Sequence, residues 1–182
     1  HIRNFKNIKE IALAKSEIIQ NIKENGYLVL NADDYFYDFH RKIASKRKLN
    51  IISFSIKNKS SNIYLNLIKK QKLKYKISIT INNIKKNFYL NTCFESDVKN
   101  LLSSIAIISV YKDINKLNCN FFYNHKIPTG RGDISKIRLF NKFFYLVDHS
   151  YNSNPLSLNS ALKNFNMIKL NDSKKHLILG DM

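Results

Sequence analysis

Tryptophan is absent from this sequence of 182 residues, cysteine and proline occur twice each, and glycine occurs four times. With so few chain breakers, no low-complexity linker and no internal repeat stands out. Cys93 and Cys119 lie far apart with no CxxC or Cys/His ligand spacing, which favours a reduced, cytoplasmic compartment. No apolar run approaches the ~20 residues of a membrane helix, and no signal peptide opens the chain. A Ser/His/Asp pattern, a paired-glutamate spacing and a glycine-rich phosphate loop are all missing.

Acidic residues are also scarce. Thirteen Asp and Glu stand against 31 Lys and Arg, a formal charge of +18. Such an excess invites a nucleic-acid partner. The lysines are spread along the whole chain beside very many Asn and Ile, however, and these three residues share AT-rich codons. The nearest basic block, Arg41-Lys42 to Lys46-Arg47-Lys48, is broken by Ile43 and Ala44 and reads as a solvated helix end. No nucleic acid is therefore expected, and a basic nucleic-acid-binding module stands as the alternative from another class.

An apolar fraction of 44% is that of a globular protein with a buried core. Residues 7–24 place Ile8, Ile11, Ala12, Ile18, Ile19 and Ile22 on one helical stripe, stopped by Gly26. Tyr27 to Leu30 is a short apolar run that ends in Asn31-Ala32-Asp33-Asp34. A helix over 35–46 leads to a strand at Ile51 to Phe54. This alternation predicts a layered α/β fold with a parallel sheet. Tyr75, Ile77, Ile79 and Ile81 then alternate with polar neighbours, Asn82-Asn83 turn the chain, and Phe88 to Leu90 return, which predicts a β-hairpin. Val98 to Val110 reads as an apolar helix suited to packing on a sheet. His125 to Gly132 holds Pro128, Gly130 and Gly132 and reads as an interdomain hinge. A fresh βαβ start follows: strand Phe143 to Val147, helix Pro155 to Phe165 with Asn154 as N-cap, and strand His176 to Leu179.

The residues that suggest chemistry are few. Asp148-His149-Ser150-Tyr151-Asn152 follows a strand, and ligands bind at the carboxyl ends of parallel strands. Asp33-Asp34 occupy a similar place, or cap the next helix. His1 and Lys15 flank the first helical segment. Arg131 sits between two glycines, and arginine is a usual partner of phosphate. These residues alone indicate an α/β protein with a cleft for an anionic ligand.

Six blocks in order resemble the Mur ligase family across essentially the whole chain. They are His1-Ile-Arg-Asn-Phe with Ile-Ala-Leu-Ala-Lys15-Ser-Glu17-Ile, Asn31-Ala-Asp-Asp34, Asn100-Leu-Leu-Ser-Ser-Ile-Ala, Gly130-Arg-Gly132, Val147-Asp-His-Ser-Tyr-Asn-Ser-Asn-Pro155 and Leu179-Gly-Asp-Met182. The last two are the most specific and favour the branch that adds D-alanyl-D-alanine to a UDP-linked muramoyl tripeptide. The resemblance implies a P-loop-type central ATP-binding domain, of which residues 1–126 are the later portion. Residues 127–182 are then the hinge and the start of a Rossmann-like C-terminal domain. It implies ATP-dependent amide-bond synthesis through an acyl phosphate in peptidoglycan precursor assembly, with ATP and magnesium as cofactors and a monomeric protein.

The same resemblance assigns roles. His1 corresponds to a magnesium ligand and Lys15 to a lysine carried as a carbamate, whose anionic oxygens suit a metal. Asn100 corresponds to an adenine contact, and Arg131, Asp148 and His149 to groups around ATP. Tyr151, Asn152 and Asn154 lie where phosphate and substrate meet. Two departures stand out: His149 replaces the second aspartate of the family's DD pair, and Ser96-Asp97 replaces its HN pair. Both chain ends read as cut, the phosphate loop is expected upstream of His1, and the 182 residues by themselves are expected to be inactive. Within the enzyme class, a sister ligase or a folylpolyglutamate-synthase-like relative is the alternative.

Overall fold

The computed structural model describes residues 5–72, 74–125, 127–151, 154–168 and 174–180. The chain divides into two compact units, residues 1–124 and 125–182.

The first unit begins with α1 (Ile8–Gln20), β1 (Tyr27–Asn31), α2 (Tyr37–Lys46) and β2 (Asn50–Ser55). It continues with β3 (Ile63–Gln71), β4 (Lys74–Ile81), β5 (Ile84–Leu90) and α3 (Glu95–Tyr111). The five strands form one sheet in sequence order. β1, β2 and β3 run parallel, while β3, β4 and β5 form an antiparallel meander. The expected parallel α/β layer and the hairpin are thus two halves of a single sheet. β3 is the strand that the sequence pattern did not announce.

Side-chain alternation sorts the layers. Leu28 and Ile51 point to one face, where they meet Ile19 of α1, Ile22 just after it, and Ile43 and Ala44 of α2. Val29, Ile52 and Phe54 point to the other, joining Ile77, Ile79, Ile81 and Phe88 beneath Val98, Leu101, Leu102 and Ile105 of α3. Ile77, Ile79, Phe88, Leu102 and Ile105 have no exposed surface at all. Asn82 and Asn83 both adopt positive φ, 44° and 72°, in the β4–β5 turn, a conformation that asparagine tolerates.

Only part of the expected stripe on α1 is buried. Ala12, Ser16 and Ile19 face inward at i, i+4, i+7, whereas Ile8 and Ile18 are each 67% exposed. Ile18 lies about 100° around the helix from Ile19, and Ile8 sits in the first turn. Asn7 caps this helix by accepting from the Glu10 amide at 3.0 Å.

The second unit differs from the expected βαβ start. β6 (Asp133–Leu139) precedes β7 (Lys142–Asp148), and the two pair antiparallel as a hairpin. α4 (Pro155–Met167) follows with a full capping box between Asn154 and Ser157. The strand expected at His176 to Leu179 has no ladder partner among the described residues. No described helix is long and apolar enough to cross a membrane.

Truncating Ile79, which is wholly buried under α3, tests the core. Ile79→Ala should lower the unfolding free energy by about 2–5 kcal/mol in urea titrations followed by circular dichroism. A loss below about 1 kcal/mol would contradict the layer arrangement.

Candidate functional site

The carboxyl ends of β1 and β2 are tied by one carboxylate. Asp33 accepts from Ser55 Oγ at 2.5 Å and from the amides of Ile56 at 2.7 Å and Lys57 at 3.3 Å. Ser55 Oγ in turn accepts from the amides of Lys57 at 2.9 Å and Asn58 at 2.6 Å. Asp34 has a separate task, accepting from the Phe36 amide at 2.8 Å. Of the readings open to Asp33-Asp34, strand-end placement describes Asp33 and local turn-making describes Asp34. Phe36 occupies the N-cap of α2 without a side-chain bond. Ser55, the last residue of β2, was not anticipated, because nothing in the sequence pairs its hydroxyl with a carboxylate 22 residues away.

The N-terminus of α3 lies close to this network and is acidic. Lys99 donates to Glu95 at 2.6 Å, and that hydrogen bond, with the charge of Lys99, holds the Glu95 carboxyl below its ordinary range. Thr92 donates to Asp97 at 2.5 Å. The Ser96-Asp97 departure therefore places a hydroxyl-bound carboxylate in the first turn of the helix, where the helix dipole favours negative charge. Burial raises the Cys93 thiol and the neighbouring Tyr75 phenol, each also bonded to the other.

Lys15 and Asn100 are both exposed, and they sit on helices covering opposite faces of the sheet. His1 and Asn152 lie outside the described residues. Among the described residues no three His, Cys, Asp or Glu groups come together as a metal cage.

The other expected residues do converge, within the second unit. The Gly132 amide donates to the Asp148 carbonyl at 2.6 Å, and the Tyr151 amide donates to the Gly130 carbonyl at 3.1 Å. Asp133 closes the turn by accepting from the Gly130 amide at 2.7 Å. Gly130 and Gly132 have φ of +77° and +97°. A Cβ on the first would stand 2.9 Å from Tyr151 Cβ, and one on the second 2.8 Å from the His149 ring. Both positions need glycine, for space as well as for backbone. The segment read as a hinge is thus clasped against residues 148–151.

Between these glycines Arg131 is exposed, with its guanidinium 4.5 Å from the centre of the Tyr151 ring. The ring positions the guanidinium, and no carboxylate within salt-bridge distance neutralises it among the described residues. Such a group can receive an anion. Asp148 is turned to its own loop: hydrogen bonds from the Ser150 side chain and amide, the latter at 2.8 Å, lower its pKa. Asn154 spends its side chain on the cap of α4.

These features define a layered α/β protein whose polar groups gather where strands end. A model of the Mur ligase middle domain matches residues 1–108, and the chain belongs to the Mur ligase family. Two curated relatives are similar along the whole chain. They are the UDP-N-acetylmuramoyl-tripeptide--D-alanyl-D-alanine ligases of two Buchnera aphidicola strains, each 28% identical over 185 residues. The chain spans 38% of the length of each. Among solved structures, MurF from Acinetobacter baumannii is similar with a TM-score of 0.76 at 20% identity, over 93% of this chain and 35% of that one. MurF from Thermotoga maritima in complex with ADP gives 0.71 at 18% identity, over 89% and 35%. These likenesses establish the same fold.

The Asp148 geometry has a pH consequence. Its lowered pKa contributes stability that is present above the ordinary aspartate range and is lost as pH falls through the lowered value. In carboxyl-carbon NMR titrations Asp148 should titrate below ordinary aspartates, and Ser150→Ala should move its midpoint upward. An unchanged midpoint in that variant would contradict the assignment to Ser150.

Proposed function

We propose that this chain is part of an ATP-dependent amide ligase that joins D-alanyl-D-alanine to a UDP-linked muramoyl tripeptide in the cytoplasm. The observation that supports this reading best is the glycine clasp, which holds Arg131 on Tyr151 with no carboxylate paired to it among the described residues. Family membership and the names of the two Buchnera relatives give it its chemistry. Residues 1–126 are assigned to the central domain, and residues 127–182 to the hinge and the start of the C-terminal domain.

In this reading a carboxylate of the tripeptide is activated by phosphoryl transfer and then attacked by the dipeptide amine. Arg131 meets phosphate charge that grows as the bond to the leaving group breaks. Tyr151 restrains the guanidinium, so less side-chain freedom is lost when it engages. Asp148 stays ionised and fixes the loop through Ser150, while His149 fills the space over Gly132. Asn100 is assigned to the adenine, and Asn152 and Asn154 to the substrate side, Asn154 acting through the helix it caps.

Magnesium, with His1 and Lys15 as the assigned ligands, would screen phosphate charge in this chemistry. Lys15 is exposed and in no ion pair among the described residues, which leaves its amine open to carbamylation, yet those residues alone do not complete a metal cage. No step is therefore routed through the ion.

The test is phosphate release from ATP that requires both muramoyl tripeptide and D-alanyl-D-alanine, measured on the protein encoded by the full reading frame. The 182 residues contain no glycine-rich phosphate loop, so they should show no turnover alone. Release that ignores the dipeptide, or that prefers a single amino acid, would overturn the assignment. Arg131→Ala should reduce kcat about 100-fold or more, since transition-state charge donors are worth that much. Wild-type kcat in that variant would remove Arg131 from the chemistry.

A further inference from the structure

Between Asp38 and Glu95 the sequence has no acidic residue, and folding collects part of this basic stretch on one surface. α3 covers one face of the β3–β5 meander, whereas α1 and α2 cover β1 and β2 on the opposite side. Within the first unit no helix packs on the opposite face of the meander. Leu67, midway along β3, is 60% exposed, and Lys69 two residues on and Lys85 on β5 are exposed as well.

Register places four lysines there. Lys69 and Lys76 stand directly opposite each other on β3 and β4, and Lys85 lies opposite Thr80 on β5. Lys74, two residues before Lys76, shares the face and rests 3.7 Å from the centre of the Tyr89 ring. Like charges directly opposite across strands are destabilising. None of the ion pairs among the described residues involves these lysines, so no carboxylate among them offsets the repulsion. At the β3–β4 turn the face runs into an open cavity of about 510 Å³ lined by Gln71, Lys72, Lys74 and Tyr123.

We propose that this face docks an acidic polypeptide segment, with its carboxylates on Lys69, Lys74, Lys76 and Lys85 and an apolar side chain on Leu67. A carboxylate between Lys69 and Lys76 turns a repulsive cross-strand pair into two attractive ones. Nucleic acid is the weaker match. Binding of single strands relies on open aromatic platforms for the bases, and the Tyr89 ring is already occupied by the Lys74 ammonium. Leu67 offers what a peptide side chain uses. The meander strands are seven to nine residues long, so a partner segment of similar length in extended form spans them.

The experiment is fluorescence anisotropy of a labelled glutamate-rich peptide with a central leucine, titrated with the 182-residue chain at about 50 mM salt. Binding should weaken about tenfold or more in Lys69→Glu/Lys76→Glu, and by less than about twofold in Lys9→Glu/Lys23→Glu, which has the same charge change on and just after α1. Leu67→Ala should weaken binding without altering its salt dependence. Circular dichroism checks the fold of each variant, and Lys74→Gln/Lys85→Gln gives the same test without charge reversal. Equal losses in the two glutamate pairs would mean that overall charge alone binds the peptide, and would overturn the proposal. Absence of binding would do the same, as would displacement of the peptide by a thymidine oligonucleotide of equal charge at lower concentration.

Discussion

The burial of α3 against the five-stranded sheet is the contact on which the larger unit depends. Its inward row, Val98, Leu101, Leu102 and Ile105, reaches both the parallel strands and the antiparallel meander. A two- or three-stranded meander is marginal alone, and a parallel pair needs both faces covered. One helix meets half of each need, and α1 and α2 complete the cover over β1 and β2. The strand ends are then fixed, and the Asp33 carboxylate can bridge from the β1 turn to the backbone after β2. Its three partners satisfy a carboxylate that would otherwise be costly beside buried Ser55.

The second unit is organised differently. No large side chain of its hairpin is buried: Phe140 is 89% exposed and Phe143 59%. Order there comes from backbone hydrogen bonding between 130–132 and 148–151, and from glycines in conformations that other residues avoid. Arg131 thereby stands over Tyr151 on a braced turn. The two units thus place polar groups at strand ends by different means, a half-buried carboxylate in one and a glycine clasp in the other.

Much of this was legible in the sequence because it rests on local rules. The apolar runs gave β1 and β2, Asn82-Asn83 gave the β4–β5 turn, and Asn154-Pro155 gave the start of α4. β3 escaped because its pattern is broken. The pairing shifts register between Leu65 and Leu67, so Ile63, Leu65 and Ile68 share a face at uneven spacing. β6 escaped for a related reason: Ile134, Ile137 and Leu139 do not alternate. The Leu177-Ile178-Leu179 run read as a strand because it is apolar, but a strand also needs a neighbour. Of the candidate site, the motif blocks point to Arg131, Asp148, His149 and Tyr151, and the fold brings these four together. Ser55 and Thr92 were invisible, since a lone hydroxyl acquires meaning only from the carboxylate it meets.

The most direct test of ligase-type nucleotide use is the side-chain nitrogen resonance of Arg131, followed during titration of the full-length protein with ATP. A guanidinium held on Tyr151, with no carboxylate partner among the described residues, should shift saturably as phosphate arrives. An unmoved Arg131 resonance in protein that demonstrably binds ATP would contradict it.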